Sequence, residues 1–255
     1  MAAIRVWRGD TLLAGKEKAG EISLLFDGAY QPGDEIEFVA DTPEVWARVD
    51  AAVAPARVYL PKGSFRYRVP LAGDNLNVYA PGAFQGERHL LELRPAEGNE
   101  YRNLARNPAD QRGDVDAYPH ATANVETRDE SAFCARNVLD GEHIADGHGR
   151  WPWGSWGIGA RTDACLTVDF GRPVTLDALV LYLRADFPHD AHWVRGAAVF
   201  SDGSEIIFPL RGEDGAQRIA FPEKRISWVR LERLVKNDDP SAFPALRQLE
   251  AWGRA

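Results

Sequence analysis

Two cysteines in 255 residues exclude a fold stapled together by disulfides. Cys134 and Cys165 sit in the apolar contexts SAFCARNV and DACLTVDF, so both read as buried free thiols, the alternative being one disulfide between them. Free thiols suit a reducing compartment. No apolar run approaches the roughly 20 residues that cross a bilayer. The N-terminus, MAAIRVWRGDTLLAGKEK, carries no apolar signal core. The expectation is a cytoplasmic protein with no membrane partner. Positive charge is also scarce: 30 lysines and arginines face 38 aspartates and glutamates, a net of −8, with no basic run. A nucleic-acid partner is therefore not expected, because its phosphates would meet a repelling field. Internal repeats, low-complexity tracts, a nucleophile elbow, a phosphate loop and a Cys–His signature are all missing. Helix signals are nearly missing too. One segment, ESAFCARNVLDG, spaces Phe133, Asn137 and Val138 as a helical turn does, with Gly141 placed to end it.

What the chain does have is strand. A hydrophobic fraction of 45% and a charged fraction of 27% are those of a globular protein. The runs EISLLFDG, DEIEFVAD, EVWARVD, ARVYLPKG, SFRYRVPL and HLLELRPA alternate partly between apolar and polar residues, and turn clusters such as QPGD, PKGS and AGDN separate them. They predict a small antiparallel β-sandwich over residues 1–97. The polar stretch AEGNEYRNLARNPADQRGDVDAYP then reads as a connector. Beyond it ACLTVDFG, TLDALVLYLRAD, VRGAAVFSDG, SEIIFPL, QRIAFPE, SWVRLERLV and LRQLEAWG predict a second all-β unit, residues 98–255.

Three constellations carry chemistry. The loop HGRWPWGSWG sets Trp151, Trp153 and Trp156 among glycines beside His148 and Arg150. Glycine-rich sequence shapes a loop rather than a strand, and an indole face matches the C–H face of a pyranose while nearby donors meet its hydroxyls. The segment LYLRADFPHDAHW follows a strongly apolar strand and gathers Arg184, Asp186, His189, Asp190, His192 and Trp193. A guanidinium there can fork to vicinal hydroxyls or to a carboxylate. The third, YPHATANVETR, adds His120, Asn124, Glu126 and Arg128. Were the chain an enzyme, His120, Glu126, His189 and Asp190 would be its acid–base groups. The two histidines of HDAH lie three apart on a loop without a third ligand fixed by spacing, which is a weak metal signal.

The second half also resembles a known family. NVLDG, the tryptophan loop ending SWG, LTVDFGRPVTLDALVLYLR, AAVFSDGSE and the closing ALRQLEAWG, taken in order over residues 101–254, look like the discoidin (coagulation-factor type C, galactose-binding-like) family. That resemblance implies a jelly-roll sandwich of eight strands with ligand loops at one end, a fold shared by many bacterial carbohydrate-binding modules. It implies that Trp156 packs beneath its loop and that Arg184 belongs to the ligand loops. It also implies a structural calcium held through Asp140 of LDGE and Glu250 of QLEAWG, although only Glu142 stands where an acidic or amide residue usually follows, and the next threonine is absent. The three segments YPHATANVETR, HGRWPWGSWG and LRADFPHDAHW are similar to those of two-domain bacterial proteins of unassigned role, whose first domain brings no function with it.

Three readings follow. The first is a carbohydrate-binding protein that uses the aromatic and Arg/His-lined loops. The second is an enzyme of glycoside hydrolase or lyase type acting on a sugar or sugar acid at the same place. The third is an assembly domain whose tryptophans form a protein contact, with a homodimer as the candidate partner. Convergence of His120, His189 and the tryptophan loop on one pocket would separate catalysis from binding.

Overall fold

Alternation builds the N-terminal half. In SFRYR, Phe65 and Tyr67 are buried while Arg66 and Arg68 are exposed, the period-two signature of a strand with one wet face. A computed structural model describes residues 1–144, 149–185 and 191–255. Its first eight strands are β1 (Ala2–Arg8), β2 (Thr11–Lys18), β3 (Ile22–Asp27), β4 (Asp34–Val39), β5 (Glu44–Arg48), β6 (Ala56–Tyr59), β7 (Ser64–Arg68) and β8 (Arg88–Pro95). They pair antiparallel into two sheets, β2-β1-β4-β7 and β3-β8-β5-β6. Ile4, Val6, Ile36, Phe38, Leu91 and Leu93 are among the side chains packed between them. Buried Asp34 is held by a fork from Arg8, both N···O distances 2.8 Å.

The second half follows as β9 (Arg102–Asn103), β10 (His120–Ala123), β11 (Trp156–Gly157), β12 (Leu166–Leu183), β13 (Trp193–Phe200), β14 (Glu205–Pro209), β15 (Gln217–Lys236) and β16 (Ala245–Arg254). Four strand signals of the sequence merge here into two long strands. ACLTVDFG and TLDALVLYLRAD are one strand, β12, and QRIAFPE and SWVRLERLV are one strand, β15. The Gly171 N–H bonds the Asp169 carboxylate at 2.7 Å and Gly171 takes φ of +66°, so turn chemistry bends the strand instead of ending it. The register against β15 shifts at the same place. The first part of β12 pairs β10 and β15, and the later part pairs β15 and β16. Long bent strands thus serve both layers of a sandwich, around a core that includes Trp156, Leu166, Leu181, Trp193, Phe200 and Leu249. The chain is all-β, a small antiparallel sandwich followed by a jelly-roll sandwich.

The single helical signal becomes two 3₁₀ turns, Ser131–Phe133 and Ala135–Leu139, followed by Gly141 at φ of +88°. Both cysteines are free. Cys134 is buried, whereas Cys165 is partly exposed rather than buried as its apolar neighbours predict. Among the described residues no helix is long and apolar enough to cross a membrane.

The connector ties the two cores together. Leu104 and Ala105 pack into the second, while Ala109 and Ala117 pack into the first. Tyr59 and Tyr118 exchange two backbone hydrogen bonds of 2.8 and 3.0 Å. Ser131 binds Asp74 through its N–H at 3.0 Å and its hydroxyl at 2.7 Å, and Glu44 meets Arg102 and Arg172.

Candidate functional site

The tryptophan loop divides in the middle. Gly154, Ser155, Trp156, Gly157 and Ile158 are all buried. Gly154 lies against Asn137, where an added Cβ would meet the side-chain carbon at 3.3 Å. At Gly157 a Cβ would stand 2.5 Å from the Thr127 hydroxyl, closer than any real contact. The Asn137 amide donates to the Ser131 and Ser155 carbonyls at 2.8 and 3.2 Å, which holds the segment down. Trp156 has no exposure, and its indole N–H donates to the Val125 carbonyl at 2.8 Å. The preceding residues are less covered. Arg150 is exposed, and Trp151 and Trp153 are only partly buried. The Trp151 N–H reaches the Asn77 carbonyl of the first sandwich, and the Trp153 N–H closes a turn on the Arg150 carbonyl at 2.6 Å. The Trp153 indole N–H is buried and finds no acceptor among the described residues.

Arg184 joins this loop. Leaving β12, it donates its backbone N–H to the Ala245 carbonyl at 2.9 Å, and its guanidinium contacts the Ser155 hydroxyl at 3.4 Å with 4% exposure. His148, Asp186, His189 and Asp190 lie outside the described residues. His192 accepts from the Asn237 amide on Nδ1 at 3.1 Å and packs its ring on Gly212. Trp193, expected to meet a ligand, is instead core: it is 2% exposed, with its ring centroid 6.1 Å from that of Trp156. The physical reason is its place as the first inward residue of β13.

The third constellation meets the loop through Val125 and Thr127, while the bonds of its four candidate side chains run to other segments. His120 lies beside Asp169 on the early part of β12, 8% exposed, with Nδ1 2.7 Å from a buried Asp110 oxygen. Burial opposes its charge, but the Asp110 hydrogen bond and the field of Asp110, Asp169 and Asp114 outweigh it, and the net shift is upward. Asn124 spends both ends of its amide on backbone, donating to the Asp163 carbonyl at 2.9 Å and accepting from the Cys165 N–H at 2.9 Å. Glu126 accepts from the Ala135 N–H at 2.8 Å and pairs with Arg112 at 2.7 Å. Arg128 forks to Glu130 at 2.6 and 2.9 Å and lies over the Phe133 ring. His120 Nδ1 and the Asn124, Glu126 and Arg128 side chains thus all have hydrogen-bond partners within the fold.

Asp140 and Glu250 were read as calcium ligands. Asp140 Oδ1 accepts from the Glu142 N–H at 2.8 Å and the Gln248 amide at 2.6 Å, and burial pushes its carboxyl up to about 7. Burial would raise Glu250 as well, but His143 at 3.0 Å and Trp252 at 2.7 Å hydrogen-bond its two oxygens and lower it on balance. A calcium shell needs six to eight oxygens. No cluster of three His, Cys, Asp or Glu side chains suited to a metal forms among the described residues, and these two carboxylates already face protein donors. Among the described residues the arrangement offers no such shell.

Sequence reasoning missed Arg136 and Asp110. Both are buried, at 5% and 1% exposure, and Arg136 stands over the Tyr79 ring at 4.9 Å. The available signal was a charged residue inside the apolar turn AFCARNVL.

A family described as a domain of unknown function, DUF7402, matches residues 116–238. No curated protein sequence matches the chain. Among solved structures, the lectin domain of Lectinolysin complexed with Lewis B antigen is 18% identical, with a TM-score of 0.45, over 60% of this chain and 98% of its own. A chitosan-binding module of a chitosanase/glucanase from Paenibacillus sp. IK-5 is 19% identical, with a TM-score of 0.42, over 60% of this chain and 99% of its own. The family 32 carbohydrate-binding module of NanJ from C. perfringens, in complex with galactose, is 13% identical, with a TM-score of 0.39, over 52% of this chain and 91% of its own.

Proposed function

We propose that the protein binds a carbohydrate at the loop end of the second sandwich, with Trp153 as the central contact. The observation that carries this reading is the Trp153 indole N–H, buried without an acceptor among the described residues on a ring that is only partly covered. A buried donor left unpaired costs about 1–3 kcal/mol. A ligand hydroxyl would take that hydrogen bond once the groups covering the N–H move aside, while the C–H face of a sugar ring stacks on the open part of the indole. Arg150 is exposed two residues before Pro152 and is free to reach hydroxyls at the rim, and Arg184 supports the loop from below through Ser155. A few such contacts suit a micromolar to millimolar ligand, about −8 to −4 kcal/mol. The enzyme reading gains no observation, since His120 and Glu126 are engaged elsewhere in the fold.

The test is titration with neutral and acidic mono- and oligosaccharides, following tryptophan fluorescence and analysing each mixture for products. Saturable quenching with the sugar recovered intact is expected, and Trp153→Ala should abolish it. Turnover of any sugar would replace binding with catalysis. Quenching that survives in Trp153→Ala would move the site off this loop.

A further inference from the structure

A cleft of about 730 Å³ opens between the two sandwiches, and none of the described residues of the tryptophan loop lines it. Its size suits a small organic ligand. Arg68, Asn75 and Tyr79 contribute from one side, and Arg112, Ser131 and Arg136 from the other. Arg136 is the unusual member. It is 5% exposed, yet its guanidinium donates only to neutral oxygens: Nε to the Asp110 carbonyl at 2.7 Å, Nη2 to the Pro108 carbonyl at 3.1 Å, and Nη1 to the Asn137 side chain at 3.4 Å. Those bonds use three of the five N–H groups a guanidinium carries. Asp110 and Asp140 are near enough to feel the charge, and with Tyr79 and Tyr67 their fields outweigh burial, so the cation is favoured on balance. Their carboxylates bond elsewhere: that of Asp110 pairs with His120 and accepts from the Ala121 N–H, and that of Asp140 accepts from the Gln248 amide and the Glu142 N–H.

The Arg136 charge is thus held by surrounding fields and neutral acceptors, with no carboxylate bonded to it directly. Arg57, equally buried, shows the usual solution, since it pairs with both Glu44 and Glu100. The cleft is the side from which a counter-charge can reach Arg136. Its charged lining is three arginines against Glu35 and Asp129, an excess of one positive charge in a chain of net −8. Two neutral groups complete it. The Asn75 amide makes no side-chain hydrogen bond to the described residues, and the Ser131 hydroxyl, which donates to the Asp74 carbonyl, keeps lone pairs to accept with.

We propose that this cleft is a second ligand site that takes a small hydroxylated monocarboxylate, a sugar acid in chemical class, with the carboxylate on Arg136 and hydroxyls on Asn75 and Ser131. The site does not rest on the reading of the tryptophan loop.

Calorimetric titration of the intact chain with galacturonate and glucuronate, against galactose, glucose and inorganic phosphate, tests it. Saturable uronate binding is expected, with each neutral counterpart at least tenfold weaker at the cleft. Ala72 is exposed on the cleft wall, so Ala72→Trp should fill the space and abolish uronate binding without disturbing the core. Arg68→Ala, at a side chain 79% exposed, should weaken it severalfold, and Arg136→Gln at least tenfold in a sample whose melting curve remains cooperative. Trp153→Ala should leave it unchanged. Uronate affinity that persists in Ala72→Trp, disappears in Trp153→Ala, or is exceeded by that of phosphate would overturn the proposal, as would no saturable binding of either uronate.

Discussion

Residues 149–153 and 154–158 belong to one loop, and they are built for different work. The second stretch is wedged under Asn137, Thr127 and Phe133, with every residue buried. The first leaves Arg150 exposed and two indoles partly open. The difference shows how a tryptophan-rich segment can anchor itself and still present aromatic surface: glycines sit where the neighbours leave no room for a side chain, and the tryptophans on either side of Gly154 inherit opposite surroundings. Removing the anchor should therefore harm the fold, whereas removing the presented ring should harm only recognition. Trp156→Ala is expected to cost about 3–5 kcal/mol of stability in denaturant unfolding, as for other buried large aromatics. A loss below about 1 kcal/mol would erase the distinction between the two stretches.

Gly157→Ala probes the same wedge from the opposite direction, by adding volume. The new Cβ would press on the Thr127 hydroxyl and lie 3.2 Å from the Phe133 Cβ, so about 1–3 kcal/mol should be lost to strain. Thr127 also accepts the Gly159 N–H at 2.8 Å, which limits how far it can retreat. The double variant Gly157→Ala/Thr127→Ala should recover part of the loss, and no recovery would show that the clash lies elsewhere. On the open stretch, Trp153→Ala should change stability by less than about 1 kcal/mol while weakening sugar binding at least tenfold, because a partly exposed ring leaves little cavity behind. Equal losses of stability for Trp153→Ala and Trp156→Ala would break the comparison outright.

The strands were legible because alternation is a local property of the chain. SFRYR and DEIEFV carry their inner and outer faces in the order of their residues. The union of strand signals in β12 was hidden because DFGRP looks the same in sequence whether its glycine ends a strand or bends one. Trp156 could be placed in the core, but Trp193 could not, since its burial depends on where β13 enters the sandwich. The polar residues of YPHATANVETR illustrate a general difficulty. Asn124 and Glu126 are consumed by backbone N–H groups donated by Cys165 and Ala135, partners 41 and 9 residues away. Ligand-facing and backbone-capping amides have the same composition, and only the fold tells them apart. Arg136 shows the converse, because a charge inside the apolar turn AFCARNVL flags the residue but not its acceptors, which are all neutral oxygens.

The smallest effect concerns His120 and tests whether the loop is independent of the junction beneath it. Its protonated form is favoured in the folded chain, where Asp110 lies 2.7 Å away, so its proton affinity rises above the ordinary value near 6.5. A group whose affinity rises on folding stabilises fully below its unfolded value, and that contribution fades as pH climbs through the raised folded value. Stability should consequently decline from about pH 6.5 upward, and His120→Asn should flatten that part of the curve. Sugar affinity, measured over the same interval in the folded range, should not follow, because the imidazole is bonded to Asp110 and does not join the loop. If quenching by sugar weakened in parallel with stability, and the His120→Asn substitution removed both trends, the junction and the tryptophan loop would have to be treated as one coupled site.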